Sequence, residues 1–255
     1  MSSLGPAAPQ MPKPDQGIVC NPTVVEIWDH DDRLYEINSW YSLPDDAWQY
    51  ELVELTEPPG RGACLAIVIP DATPAGAPFT PKHCGHALVA VAGGVTPWPI
   101  LGRLIDLAES SGDIIDSDQA RVTADDKILS NNVWLYDGMR FEVNSFHLGD
   151  EDAWCYELYQ AGPDRLRNDY VEVQIPDANP DGSPFIPEPA DRVTLTAHGE
   201  WNIPWPVFRR FIDVVAASGD IVQDQATGRD GKSRAWASTT NPAGDAAARA
   251  YCEPR

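Results

Sequence analysis

Basic residues are scarce in this sequence. Lysine and arginine together number 18, against 39 aspartates and glutamates, which gives a formal net charge of -21 at pH 7. A chain so poor in cations gains little affinity for nucleic acid through counterion release, and an anionic lipid surface repels it. We therefore expect neither a nucleic-acid nor a membrane partner. A basic protein is the partner that this charge permits, although solubility alone also explains it.

Cysteine is infrequent and odd in number. The five cysteines show no repeated spacing and suggest no disulfide framework; they are Cys20, Cys64, Cys84, Cys155 and Cys252. Free thiols are typical of a reducing compartment, which predicts a cytoplasmic protein. Residues 1–20 are rich in proline and lack the apolar stretch of a signal peptide, so we expect a disordered N-terminal arm.

Catalytic motifs are missing as well. The sequence has no G-x-S-x-G motif, no phosphate-binding loop, no H-E-x-x-H motif and no catalytic Cys/His signature. No cofactor is therefore indicated. The absence lowers the expectation of an enzyme but leaves that class open.

The chain carries one proline-rich motif twice. Ile-Pro-Asp-Ala-x-Pro-x-Gly-x-Pro-Phe-x-Pro, here called the proline motif, occupies residues 69–81 and recurs 106 residues later at 175–187. The same offset aligns Trp28 with Trp134 and Trp48 with Trp154. We interpret this as a tandem duplication. The predicted division is repeat unit 1 at 21–116, a linker at 117–129, repeat unit 2 at 130–222 and a tail at 223–255.

Each unit has the pattern of five strands followed by one helix. Alternating and β-branched segments predict strands at 23–28, 33–40, 48–55, 63–69 and 86–92, and again at 133–136, 139–146, 154–160, 169–175 and 192–198. Apolar residues at helical spacing then follow, with Pro99 and Pro206 suited to the first turn and Gly112 and Gly219 to a left-handed end. We predict an α+β fold in which each unit has about five antiparallel strands and one C-terminal helix packed on the sheet.

The two units differ on the predicted outer faces of their fourth and fifth strands. Unit 2 carries polar side chains there, such as Glu172 and His198, whereas unit 1 carries small and apolar ones. We expect such an apolar face to pack against another element, which is the other unit, the tail, a second subunit or another protein. The residues predicted for this interface are Ala66, Val68, Leu88, Ala90 and Ala92, and a homo-oligomer through them is one alternative.

Two segments have the residue types of metal sites. Asp177, Asn179, Asp181 and Glu188 fit the spacing of a calcium loop, but prolines stiffen the segment and unit 1 lacks the ligands, so an acidic turn is the competing interpretation. The run His-Cys-Gly-His at 83–86 offers soft ligands without the second ligand group of a structural zinc site, which favours a surface loop.

Carboxylates recur at matching positions of the two units. One set is predicted on a single sheet face, where it suits a cationic ligand or an acid/base pair, or simply forms the polar side of a strand; its carboxylates are Glu36, Glu51, Glu142 and Glu157. A second set lies in the turns after the second strand of each unit, near Trp40: Asp45, Asp46, Glu151 and Asp152. Acidic and aromatic groups together suit a basic protein partner, although turns collect aspartate for conformational reasons alone.

These patterns lead to three functional hypotheses. We favour a soluble acidic protein-binding module of the antitoxin, immunity or inhibitor type that engages a basic partner. The first alternative is a small-molecule or metal-binding protein, with an enzyme as a special case, whose site lies between the two units. The second is a structural subunit of an assembly.

Overall fold

The protein is described by a computed structural model, which covers residues 23–55, 65–73, 78–115, 123–124, 132–162, 169–179 and 184–222. The predicted arm at 1–20, most of the linker and the whole tail lie outside the described residues. Within the described ranges, neither helix combines the length and the apolar character that crossing a membrane would require.

The same order of elements occurs in the two halves of the described chain, 23–115 and 132–222. The first half contains β1 (Thr23–His30), β2 (Arg33–Ser42), β3 (Ala47–Glu54), β4 (Leu65–Pro70), β5 (Leu88–Val91), β6 (Gly94–Pro97) and α1 (Trp98–Ser110). After the short strand β7 (Thr123–Ala124), the second half contains β8 (Val133–Tyr136), β9 (Met139–Leu148), β10 (Ala153–Ala161), β11 (Tyr170–Pro176), β12 (Thr194–His198), β13 (Trp201–Pro204) and α2 (Trp205–Ala217). The strands pair antiparallel and the helices are few, so the predicted α+β class is confirmed.

Local sequence explains where these elements turn and end. The hairpin between β8 and β9 turns at Asp137 and Gly138, both with positive φ, as a two-residue turn matched to strand twist requires. Both helices have a proline in the first turn, where a missing N–H leaves no intrahelical bond unmade. Gly112 and Gly219, at φ of 79° and 87°, follow the last turns in the left-handed region.

The two halves exchange one strand each, which the sequence did not predict. The first sheet has the order β1-β2-β3-β4-β5-β13, and the second has the order β6-β12-β11-β10-β9-β8-β7. The strand just before each helix therefore belongs to the sheet of the other half. The unit boundaries at 21–116 and 130–222 stay a prediction. Each of these spans contributes one strand to the sheet of the other.

The hydrophobic core is continuous between the halves. A single cluster of buried side chains includes Ile37 and Leu104 from the first half and Phe208 and Phe211 from the second. Backbone bonds cross at equivalent points: the Trp98 N–H donates to the carbonyl of Val193, and the Trp205 N–H to that of Ala87, both at 2.8 Å. Each helix begins at one of these crossings, so the helices lie at the junction of the two sheets.

Candidate functional site

The turn between β2 and β3, residues 43–46, carries the predicted acidic pair of the first half. Asp46 lies in the left-handed region at φ 49°, and its carbonyl accepts the N–H of Asp71 at 2.8 Å. The carboxylate of Asp45 accepts from the Ser42 hydroxyl at 2.5 Å and from the Gln49 amide at 2.9 Å. The proline motif and β3 thus fix a turn whose aspartates are exposed.

Aromatic side chains flank this turn. Tyr41 donates its hydroxyl to the carboxylates of Asp46 and Asp71, and its ring lies 6.1 Å from that of Phe79. Phe79, from the proline motif, in turn lies 5.6 Å from the ring of Trp48. Burial and the two carboxylates raise the pKa of Tyr41, so this phenol stays protonated and keeps donating. We call residues 43–46 with these three rings the first acidic–aromatic end.

The turn between β9 and β10, residues 149–152, repeats the arrangement. Asp152 has φ 45°, and its carbonyl accepts the N–H of Asp177 at 2.8 Å. Glu151 accepts from the Gln174 amide at 2.9 Å. The aromatic group consists of Trp154, Phe185 and His147, the last at the position of Tyr41. We call this set the second acidic–aromatic end; its turn carboxylates Glu151 and Asp152 occur where the sequence predicted them.

The first aspartate of the proline motif closes the motif on itself. In the first copy Oδ1 of Asp71 accepts the N–H of Thr73 at 2.8 Å and that of Thr80 at 3.1 Å, and the Thr73 hydroxyl at 2.7 Å. In the second copy Oδ1 of Asp177 accepts the N–H of Asn179 at 2.8 Å and that of Ile186 at 3.0 Å. This is the Asx-turn use of an aspartate.

These bonds make the stability of the fold depend on the charge of Asp71. Burial acts to raise the pKa of Asp71, but hydrogen bonds from Thr73, Thr80 and Tyr41 outweigh it and hold the pKa below its usual value. A depressed pKa stabilises the fold above the unfolded-state value of about 3.9, and the contribution is lost as the pH falls through the lower folded value.

Asp71→Asn is therefore expected to lower the free energy of unfolding by about 1–2 kcal/mol near pH 7 and by much less near pH 2. Urea denaturation of the variant and the parent at the two pH values measures this difference. Asp106→Asn, at an exposed position of α1, is the control. An equal loss at both pH values would show that the carboxylate charge contributes nothing.

Of the residues that fit the calcium-loop spacing, Asp177 already accepts the N–H groups of Asn179 and Ile186. Glu188 accepts from Arg192 Nε at 3.3 Å, and Asp181 lies outside the described residues. Across the described ranges, no three histidine, cysteine, aspartate or glutamate side chains are grouped so as to hold a metal ion. The calcium site stays a prediction that the described residues do not support.

The segment 83–86 forms a loop and a short 3-10 helix, Cys84–His86. The ring of His83 accepts the Gly85 N–H at Nδ1 over 3.0 Å, which caps this helix, and Cys84 is a buried free thiol. Cys64 lies outside the described residues. The sequence favoured a surface loop here, whereas the segment forms a short 3-10 helix in which Cys84 is buried.

Glu36, Asn38 and Glu51 share the outer face of the first sheet. Asn38 lies opposite Glu51 in the pairing of β2 with β3 and donates from Nδ2 to Glu36 over 2.9 Å. Trp40 is half-buried on the same face. Burial raises the pKa of Glu51, and Trp40 partly opposes the rise. The predicted face is thus assembled, with Asn38 and Glu36 hydrogen-bonded to each other.

The corresponding face of the second sheet carries a further set of polar groups. Glu157 lies opposite both Asn144 on β9 and Glu172 on β11. Glu142 accepts the Tyr159 hydroxyl at 2.5 Å and pairs with Arg140 at 2.8 Å. Burial and the neighbouring carboxylates raise the pKa of Glu172. Strand alternation had placed Glu172 and His198 on this face, but the ring stacking of His198 on Tyr170, at 4.1 Å, has no sequence signal.

The predicted interface residues line the outer face of β4 and β5. Ala66 is buried, Val68, Leu88 and Ala90 are half-buried, and Ala92 is exposed. β13 from the second half lies beside them, with Asn202 opposite Ala90. An interface with another molecule at this face stays a prediction.

A cleft of about 380 Å³ lies where α1 and α2 approach each other. Residues of both halves line it, among them Cys84, Glu109 and Arg209. Arg209 donates from Nε to Glu109 over 2.8 Å and pairs with Asp213. This volume suits a small ligand, but its charged groups already neutralise one another.

No protein-family model, curated protein or solved structure matches this chain.

Proposed function

We propose that this protein binds a basic protein through its acidic surface, in the manner of an antitoxin, immunity protein or inhibitor. The two acidic–aromatic ends are the proposed contact points. The carboxylates of Asp45, Asp46 and Glu151 are exposed and supply charge complementarity. The rings beside them that are half-buried supply the aromatic contacts that protein interfaces favour; these are Tyr41, Phe79, Trp154 and Phe185. The free thiols of Cys84 and Cys155 are consistent with a reducing compartment, so the proposed site of action is the cytoplasm.

The observation that carries the proposal is that every described arginine is already engaged within the chain. Arg33, Arg140, Arg192 and Arg209 pair with carboxylates, and the guanidinium groups of Arg103 and Arg210 lie over the rings of Trp28 and Trp134. These cations have little capacity left for an acidic partner. The excess of carboxylates at the surface therefore favours a cationic one.

Removing the turn charges is expected to reduce capture of the partner strongly. The protein is immobilised and exposed to an extract of its source cells at about 50 mM and about 500 mM salt, and retained proteins are identified by mass spectrometry. We expect a basic protein to be retained at low salt and released at high salt. The turn variant should retain at least about tenfold less of it; this variant combines Asp45→Asn, Asp46→Asn, Glu151→Gln and Asp152→Asn.

The control variant removes the same amount of charge elsewhere on the surface and should retain the partner. It combines Asp106→Asn, Asp137→Asn, Asp191→Asn and Glu200→Gln, all at exposed positions. Equal losses in both variants would mean that net charge acts without a defined site. Retention of no protein, or retention that salt does not change, would contradict the proposed function.

A further inference from the structure

Strand β1 is an edge strand with an apolar border. In the described part of the chain it pairs on one side only, with β2. Val24, Val25 and Ile27 are exposed at 48%, 42% and 57%. A bulge interrupts the pairing between Val24 and Glu26, but from Glu26 to His30 the strand is regular. A regular, apolar edge with free backbone groups is a template for another strand.

The second half shows what such an edge looks like when a strand lies beside it. β8 matches the end of β1, pairs with β9 as β1 pairs with β2, and has β7 on its other side, opposite Trp134 and Leu135. Val133, at the position of Ile27, is only 4% exposed. Trp28 and Trp134, the next residues, are both buried beneath an arginine, so the two strands face the core alike. The first half therefore has an edge whose counterpart in the second half is paired on both sides.

We propose that β1 is a docking edge for an extended basic segment of the partner protein, which adds as an antiparallel strand along Glu26–His30. This inference rests on the proposed function and adds β1 to the two acidic–aromatic ends as a contact surface for the same partner. Backbone hydrogen bonds would supply affinity, while apolar side chains of the added strand would cover Ile27. The β7–β8 pair supplies the orientation.

Charge selects the occupant. Glu26, Asp29 and Asp31 are exposed along and just after β1. Arg192 lies 4.0 Å from Asp31, which leaves Glu26 and Asp29 as the carboxylates without an arginine partner among the described residues. The other nearby cations are engaged, since Arg33 pairs with Glu54 at 3.3 Å and Arg103 lies over Trp28. A second copy would bring an identical acidic edge against this one, and like charges on paired strands are destabilising. A strand of alternating apolar and basic residues meets both the apolar and the acidic features.

The probe is a short labelled peptide of alternating lysine and valine, titrated into the full chain by fluorescence anisotropy. A peptide of the same sequence with an N-methyl group on every residue has equal charge but no backbone N–H to donate, so it cannot pair as a strand. We expect the first peptide to bind at least about tenfold more tightly than the second. Ile27→Lys should weaken the first peptide by about tenfold, while Leu135→Lys, an exposed substitution on the matching strand β8, should leave it unchanged.

Amide hydrogen exchange identifies the occupant directly. The proposal expects exchange at those amides of Glu26–His30 that face away from β2 to be fast in the free protein and to slow when the lysine–valine peptide binds. Slow exchange in the free protein at all concentrations would assign the edge to the chain's own N-terminal residues, and protection that grows with protein concentration would assign it to a second copy. Either result overturns the proposal. Equal binding of the two peptides overturns it as well and leaves a purely electrostatic partner site standing, while failure of the extract capture removes the proposed function itself.

Discussion

Replacing Phe208 by alanine is expected to lower the free energy of unfolding by about 3–5 kcal/mol and to do so for both halves together. Phe208 is fully buried on α2 and belongs to the core cluster that spans the halves. The loss should appear as one transition shifted to lower denaturant, reported alike by circular dichroism and by tryptophan fluorescence. Tryptophans occur in both halves, so fluorescence reports on both.

Val214→Ala is the matched control for this substitution. Val214 lies on the same helix but is exposed, so its truncation leaves no cavity and should change stability by no more than about 0.5 kcal/mol. Two separate transitions in the Phe208 variant, with one unchanged from the parent, would mean that the halves fold independently.

Replacing Asp113 by alanine is expected to cost about 2–3 kcal/mol, and the equivalent change Asp220→Ala only about 1 kcal/mol. Both aspartates follow a helix and accept the hydroxyl of a tyrosine on the third strand of their half, Tyr50 at 2.8 Å and Tyr156 at 2.5 Å. The first pair is buried, so water cannot replace the lost acceptor. Asp220 is half-buried, so water can.

Urea denaturation of the two variants measures this comparison. The local backbone is the same in both places, because Ser111 and Ser218 each accept the N–H of the following aspartate at 3.0 Å. The difference between the two losses therefore isolates burial. Equal losses would show that solvent access has no part in the value of this hydrogen bond.

Most of the fold could be predicted because it follows from local patterns. The predicted strand at 33–40 and the observed β2, Arg33–Ser42, begin at the same residue, since alternation and an adjacent turn are local signals. The helices end before Gly112 and Gly219 as expected. The exchanged strands β6 and β13 could not be found in this way, because each has four residues and ends in a proline. Their pairing depends on how the two halves meet, which no local pattern encodes.

For the candidate site, the sequence predicted which residues share a face or a turn but not the contacts between distant segments. Alternation placed Glu36 and Glu51 on one face, and the matching turns pointed to Asp46 and Asp152. The sequence could not indicate that the Asp46 carbonyl binds the proline motif, because that contact joins residues 25 positions apart across a sheet. The sequence also did not predict that Ile27 is exposed, since an edge strand and a central strand can share one hydrophobic pattern.

Because β6 and β13 each belong to the sheet of the other half, a change that destabilises one half also affects the other. A change that destabilises one sheet also removes a strand from the other sheet. Its effect therefore extends to both halves of the chain. The chain is then either folded throughout or largely unfolded, and cellular proteases would meet few partly folded intermediates.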